Sequence, residues 1–125
     1  MKIEIYKTKT GKEPYTEWEK TIDRSALVRI DARFARIRES GNLGICEPVG
    51  DGVFELKFDF GPGYRVYFGY EADAILILLL GGNKKHQQKD IDKAKEYWLD
   101  HLSLKRDKDE KIQKLQRKSN RKTER

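Results

Sequence analysis

The chain is short of the residues from which small sites are usually built. It has one cysteine, Cys46, among 125 residues, which excludes an internal disulfide and any multi-cysteine zinc site. Two histidines, His86 and His101, are too few for a histidine-rich metal site. No metal and no small-molecule cofactor is expected. The opening "MKIEIYKTK" has no apolar core of signal-peptide length, so no secretory leader is expected. The longest apolar run, "AILILLL" at 74–80, falls far short of the about 20 apolar residues that cross a bilayer. A membrane partner is not expected, and a reduced cytoplasm is the expected location.

An excess of one charge is also missing from most of the chain. The whole carries 27 Lys and Arg against 21 Asp and Glu, a net charge of +6. Residues 103–125 alone hold ten of the basic and four of the acidic residues, which leaves 17 of each sign in residues 1–102. The folded part is formally neutral, and the excess belongs to the tail. Nucleic-acid binding by the domain therefore needs a local basic patch rather than a global field.

The length suits one domain with a modest core, and no repeat or interdomain linker interrupts it. "KIEIYK" (2–7) puts Ile3 and Ile5 on one face of a short strand. Pro14 opens a helix with Tyr15, Trp18 and Ile22 at helical spacing. A second helix follows, with Leu27, Ile30, Phe34 and Ile37 on one face, Ser25 as a candidate cap and "SGN" at 40–42 as the stop. The two form a hairpin over one sheet face.

From residue 50 the period changes to two. "VFELKFDF" (53–60) sends Phe54, Leu56, Phe58 and Phe60 one way, and Val53, Glu55, Lys57 and Asp59 the other. After the "GPG" turn at 61–63, "YRVYFGY" (64–70) sets Tyr64, Val66, Phe68 and Tyr70 opposite Arg65 and Tyr67. "EAD" (71–73) turns again into the run at 74–80, which has no polar face and suits a central strand. A third helix, 87–102, would pack Ile91, Ala94, Trp98 and Leu102 on the core. The expected fold is α+β: a compact β-α-α-β-β-β-α domain at 1–102, with the helical hairpin and the C-terminal helix on a curved, largely antiparallel four-stranded sheet. For the basic tail, 103–125, Asp107–Lys111 and Glu110–Lys114 at i,i+4 support helix to about Arg117, with disorder beyond.

The hairpin alternation groups Glu55, Lys57, Arg65 and Tyr67 on the face away from the phenylalanines. The next strand ends through Gly81 and Gly82 onto Lys84, Lys85 and His86. Together these would line a basic concavity holding one carboxylate, a composition that suits a phosphodiester. Arg binds phosphate oxygens bidentately and Lys supplies compact positive charge. The glycines would let a ligand approach the backbone, and Gln87 and Gln88 would add neutral donors and acceptors. The same residues also fit a blander pattern: cross-strand ion pairs on a solvated face, each worth about 0.2–1 kcal/mol, followed by a solvated loop. Tyr67 suits packing as well as base stacking. His101 suits a helix C-terminal cation, and Cys46 has no histidine near it in sequence. The tail is either a solvated appendage or a nonspecific arm for RNA or the ribosome.

Residues 50–98 closely resemble the RelE/HigB-type toxins of bacterial toxin–antitoxin modules, within the RelE/ParE superfamily, and most of all the addiction module killer protein group. The features that carry the resemblance are "G-x-G-x-x-E-L" at 50–56, "GPGYRVYF" at 61–68, "GG-x-K" at 81–84 and "Q-x-D-I-x-x-A" at 88–94. The resemblance implies a RelE-like fold and a cytoplasmic toxin neutralised by a cognate antitoxin. It further implies a ribosome-dependent mRNA endoribonuclease that needs no metal, in which the 2′-hydroxyl attacks the adjacent phosphate. On this implication Arg65 meets the scissile phosphate and Lys84 is a second functional cation. Glu55 and Lys57 stand where relatives carry a base or a further phosphate contact. Lys57, Tyr67, Lys85 and Gln87 become expected RNA-binding residues. Asn83 stands where Asp is commoner, Lys85 and His86 replace small polar residues, and no tyrosine follows Tyr97. His86 is then the candidate general acid, because imidazole titrates near neutral pH. Two other functions share the fold: a ParE-like inhibitor that binds DNA gyrase without chemistry of its own, and an inactive member that only binds antitoxin.

Overall fold

In the computed structural model, which describes residues 1–72 and 74–123, β1 (Lys2–Ile5) starts the chain at a sheet edge, parallel to β5 (Ile75–Asn83). α1 (Pro14–Glu19) and α2 (Arg24–Ser40) carry the chain across one face to β2 (Cys46–Gly50) at the opposite edge. β3 (Val53–Lys57), β4 (Tyr64–Glu71) and β5 return as an antiparallel meander, in the order β1-β5-β4-β3-β2. One 3₁₀ turn, Lys84–His86, leads into α3 (Gln87–Thr123). The architecture is α+β, and the sheet is mixed and five-stranded rather than four-stranded.

The additional strand is β2, which Glu47 and Pro48 disguise as a loop. An edge strand tolerates Pro because its outward N–H needs no ladder partner. β2 joins β3 through Asp51 and Gly52, whose φ values of 56° and 81° are those of a two-residue type I′ hairpin turn. β3 is shorter than the alternation suggested. Phe58 leaves the ladder, although its N–H still donates to the Tyr64 carbonyl at 3.0 Å. The cap of α2 also differs from expectation. Asp23, not Ser25, accepts the Ala26 N–H at 2.8 Å, and the Ser25 hydroxyl donates to the same carboxylate. Gly41 ends α2 with φ 74° and its N–H on the Ile37 carbonyl, as the "SGN" stop implied.

β5 divides the core in two. Leu76 and Leu78 face the helical hairpin and join Tyr15, Ile30, Phe34, Ile37, Leu56, Val66 and Phe68. Ile77 and Leu79 face α3 and join Tyr6, Val53, Tyr67, Ile91, Ala94 and Trp98. Burial on both faces explains why the run has no polar alternation. Between Tyr67 and Phe68 the register slips by one residue, so that Leu79 and Leu80 both lie on the α3 side.

Gly81 and Gly82 are strand rather than turn, paired with Val66 and Arg65. Neither offers its backbone to a ligand. A Cβ at Gly81 would overlap the Trp18 ring, and one at Gly82 the Asp90 carboxylate. Trp98 uses the same device on the other face, where a Cβ at Gly69 would stand 2.5 Å from its ring. Trp98 stacks on His101, with ring centroids 5.4 Å apart, and this leaves Leu102 42% exposed instead of in the core.

α3 runs on through the tail, past the end expected near Arg117, to Thr123. No Gly or Pro occurs in residues 87–123 to end it. Of the segment expected to be disordered, residues 124–125 lie outside the described ones, as does Asp73 of the turn expected at 71–73. Among the described residues no helix is long and apolar enough to cross a membrane.

Gly81→Ala is expected to destabilise the fold by about 1–3 kcal/mol, the usual cost of overpacking a filled interior. A denaturant melt with an unchanged m-value checks this.

Candidate functional site

Strand register assembles the site. Glu55 lies opposite Tyr67, Lys57 opposite Arg65, and Arg65 opposite Gly82, all on the face that α3 covers. β2 adds Glu47 opposite Glu55. The first turn of α3 brings Gln87 and Asp90 down onto this row.

The carboxylate of Glu55 is the centre of the row. It is 1% exposed and is the buried charged residue of the core. Gln87 Nε2 donates to both of its oxygens, at 3.1 and 2.9 Å. Arg65 Nε stands 3.7 Å from Oε1, too far for a hydrogen bond but close enough for an ion pair. Arg65 Nη1 donates to the Gly63 and Tyr64 carbonyls, each at 3.0 Å. Among the described residues its Nη2 makes no hydrogen bond. The guanidinium is therefore held from two sides, with one nitrogen uncommitted.

Lys84 converges on the same place. Its N–H donates to the Gly63 carbonyl at 3.0 Å, the same oxygen that accepts from Arg65 Nη1. Asn83 caps the turn by accepting the Lys85 N–H at 3.0 Å. Asn serves this cap as well as Asp would, since only a side-chain oxygen is needed. Lys84, Lys85 and His86 are all exposed beyond it. His86 acts electrostatically on Asp90. Burial pushes the Asp90 carboxyl above its usual range, while the charges of His86 and Lys89 oppose that shift.

Several expected roles change with this geometry. Glu55 is enclosed and holds Arg65 and Gln87, so it has no surface from which to meet a substrate as a base. Gln87 is bound to Glu55 instead of being free for RNA. Tyr67 is 0% exposed, so its ring face is closed to a base. Its hydroxyl is buried without a hydrogen-bond partner among the described residues, and burial, then the field of Glu55, push its pKa up. Lys57 turns toward the β2 edge, where its Nζ pairs with Glu47 at 2.9 Å. The concavity expected to hold one carboxylate has Glu47, Glu55 and Asp90 around it.

Asp90 is the residue that the sequence reading left without a role. Its three-residue spacing from Gln87 puts the two on one helix face and was the available signal. Among the described residues no group of three or more His, Cys, Asp and Glu side chains is arranged to hold a metal ion. Cys46 is half-buried, and burial raises its thiol pKa, the opposite of nucleophile activation. Chemically the arrangement offers an anchored guanidinium, a neighbouring ammonium and an exposed imidazole at one strand end. That set suits an anionic oxygen ligand such as phosphate.

Glu55→Ala is expected to cost about 3 kcal/mol, because it strands a nearly buried guanidinium. The double variant Glu55→Leu/Arg65→Met is expected to recover most of that loss in the same denaturant melts.

No family model matches the chain. An uncharacterized protein of Haemophilus influenzae is 47% identical over 70 residues, a stretch that makes up 56% of this chain and 70% of that protein. By that shared sequence, the chain belongs to the same family as the uncharacterized protein of Haemophilus influenzae.

Proposed function

We propose that the chain is a RelE/HigB-type toxin: a cytoplasmic endoribonuclease that cuts messenger RNA on the ribosome and is neutralised by a cognate antitoxin. On this reading the five-stranded mixed sheet is a RelE-like arrangement with one added edge strand. The observation that carries the reading is the anchored Arg65, held by Glu55 and the Gly63 carbonyl, with the backbone N–H of Lys84 on the same carbonyl. A guanidinium that needs no reorganisation stabilises developing negative charge best. A protein that acts by binding alone has no need of such a device.

The substrate supplies the nucleophile. The ribose 2′-oxygen attacks the adjacent phosphorus, the P–O5′ bond breaks, and a cyclic phosphate and a free 5′-hydroxyl result. Arg65 Nη2 and Lys84 Nζ take the charge that accumulates on the non-bridging oxygens. His86 gives O5′ its proton, and the 2′-hydroxyl proton leaves to solvent. Glu55 and Gln87 are positioning residues on this account, and Lys85 adds attraction for the backbone. In-line positioning on the ribosome provides much of the rate, because both reacting groups belong to one chain.

Induction in cells, with mapping of messenger RNA 5′ ends, tests the reading. Cuts phased with codons are expected, and Lys84→Ala, an exposed change that leaves the fold intact, is expected to weaken them. Arg65→Lys, which keeps a cation beside Glu55 but removes the guanidinium fork, is expected to lower the cleavage rate by about 10²–10³ while antitoxin binding survives. Intact messages accompanied by double-strand DNA breaks would move the chain to the gyrase-binding class. Full toxicity in both variants would remove Arg65 and Lys84 from the site.

A further inference from the structure

The part of α3 beyond the core is solvent-exposed. From Arg106 through Lys118 every side chain is exposed, along about 20 Å of helix. This stretch lies within residues 103–125, which carry the chain's whole net charge of +6. Residues 106–119 hold six Lys and Arg against three Asp and Glu. The spacing Asp107–Lys111 and Glu110–Lys114 suggested ion pairs, but none forms within 4.0 Å, and among the described residues the last ion pair along α3 is Lys105 with Glu71 at 3.1 Å. Neighbouring like charges on a helix are mutually destabilising by about 0.2–0.5 kcal/mol per pair. An arrangement of this kind is relieved by a polyanion.

The cations also share a direction. Lys108, Lys111, Lys114 and Lys118 recur at intervals of three and four, which puts them along one helix face at about one per 5.4 Å turn. We propose that this lysine face of α3, residues 106–119, is an arm that binds the phosphate backbone of RNA. Asp107 and Leu115 lie within this face and Ile112 at its border, the two apolar residues being 65% and 45% exposed. Two such residues do not make the continuous apolar face that inserts into a lipid surface or seats a partner helix. Charge spaced along a line, with little apolar area, fits a strand of phosphates instead. The arm acts independently of the cleavage chemistry. It would add affinity for any RNA regardless of sequence and would place the Arg65 site near its substrate.

The test compares the full chain with the variant Lys108→Gln, Lys111→Gln, Lys114→Gln, Lys118→Gln, in which Gln preserves helix propensity. The probe is a fluorescent single-stranded RNA of 20 uridines, titrated across a salt series, with far-UV circular dichroism to verify the helix. Each phosphate contact contributes about 0.7 to the slope of log affinity against log salt on a single strand. Loss of four contacts should therefore flatten the slope by about 3 and weaken binding at low salt by at least about 100-fold, the scale of the salt effect for such a contact set. Lys84→Gln should leave most of that slope in place, which separates the arm from the proposed cleavage site. Failure of the toxin reading would leave this result untouched, since no cleavage enters the measurement. An unchanged slope in the helical quadruple variant would overturn the arm. So would tighter, Leu115-dependent binding to vesicles of phosphatidylglycerol than to the RNA at the same salt.

Discussion

A buried carboxylate governs the arrangement of this protein's polar side. Glu55 sits within a sheet face that α3 has closed over, and a charge in that position must be satisfied or it unfolds the region around it. Two groups from different elements meet the need: Gln87, which opens α3, and Arg65 of β4. One residue thus fixes where the last helix begins and where the guanidinium points. The 3₁₀ turn between β5 and α3 is short, so fixing Gln87 also fixes Lys84, Lys85 and His86 just before it. The exposed cations owe their placement to a group that no substrate touches.

The rest of the fold brings the two helical layers close enough for this to work. Glycines on β4 and β5 give indole rings a flat backbone to lie on, with Trp18 at Gly81 on one face and Trp98 at Gly69 on the other. Gly82 makes the same allowance for the Asp90 carboxylate, drawing the first turn of α3 down beside Arg65. Small residues in a central strand usually weaken it. Here the lost side-chain packing is offset by large rings and a helix terminus that could approach no other way.

Much of this was legible in the residue pattern. The phenylalanine and leucine alternation of β3 and β4, the uninterrupted apolar run of β5 and the helical period of α2 each describe local geometry that the chain repeats. The cross-strand placement of Glu55, Lys57, Arg65 and Tyr67 was legible too, because strand register follows from alternation and a short turn, whereas Glu47 and Asp90 were not. What escaped was burial, which depends on what covers a face. Ile91, Ala94 and Trp98 announce a helix with an apolar side but not the part of the sheet it closes over. Glu55 therefore reads as a surface group when it is an interior one, Tyr67 as open to base stacking when it is closed, and Gln87 as free when it is bound to Glu55. β2 escaped for a related reason: an edge strand with Glu47 and Pro48 buries too little to show a period. The length of α3 was underestimated because the apolar signal ends near Trp98, whereas the helix needs only the absence of a breaker to continue.

The proposed role of Arg65 and its neighbours is to promote attack by a ribose 2′-hydroxyl. Purified chain mixed with programmed ribosomes and a defined messenger RNA, followed by analysis of the product ends, tests it most directly. Fragments ending in a 2′,3′-cyclic phosphate are expected, paired with fragments beginning in a 5′-hydroxyl, formed by the unaltered chain and lost with Arg65→Lys, which keeps a cation beside Glu55. Fragments beginning in a 5′-phosphate, or an intact message at full ribosome occupancy, would contradict it.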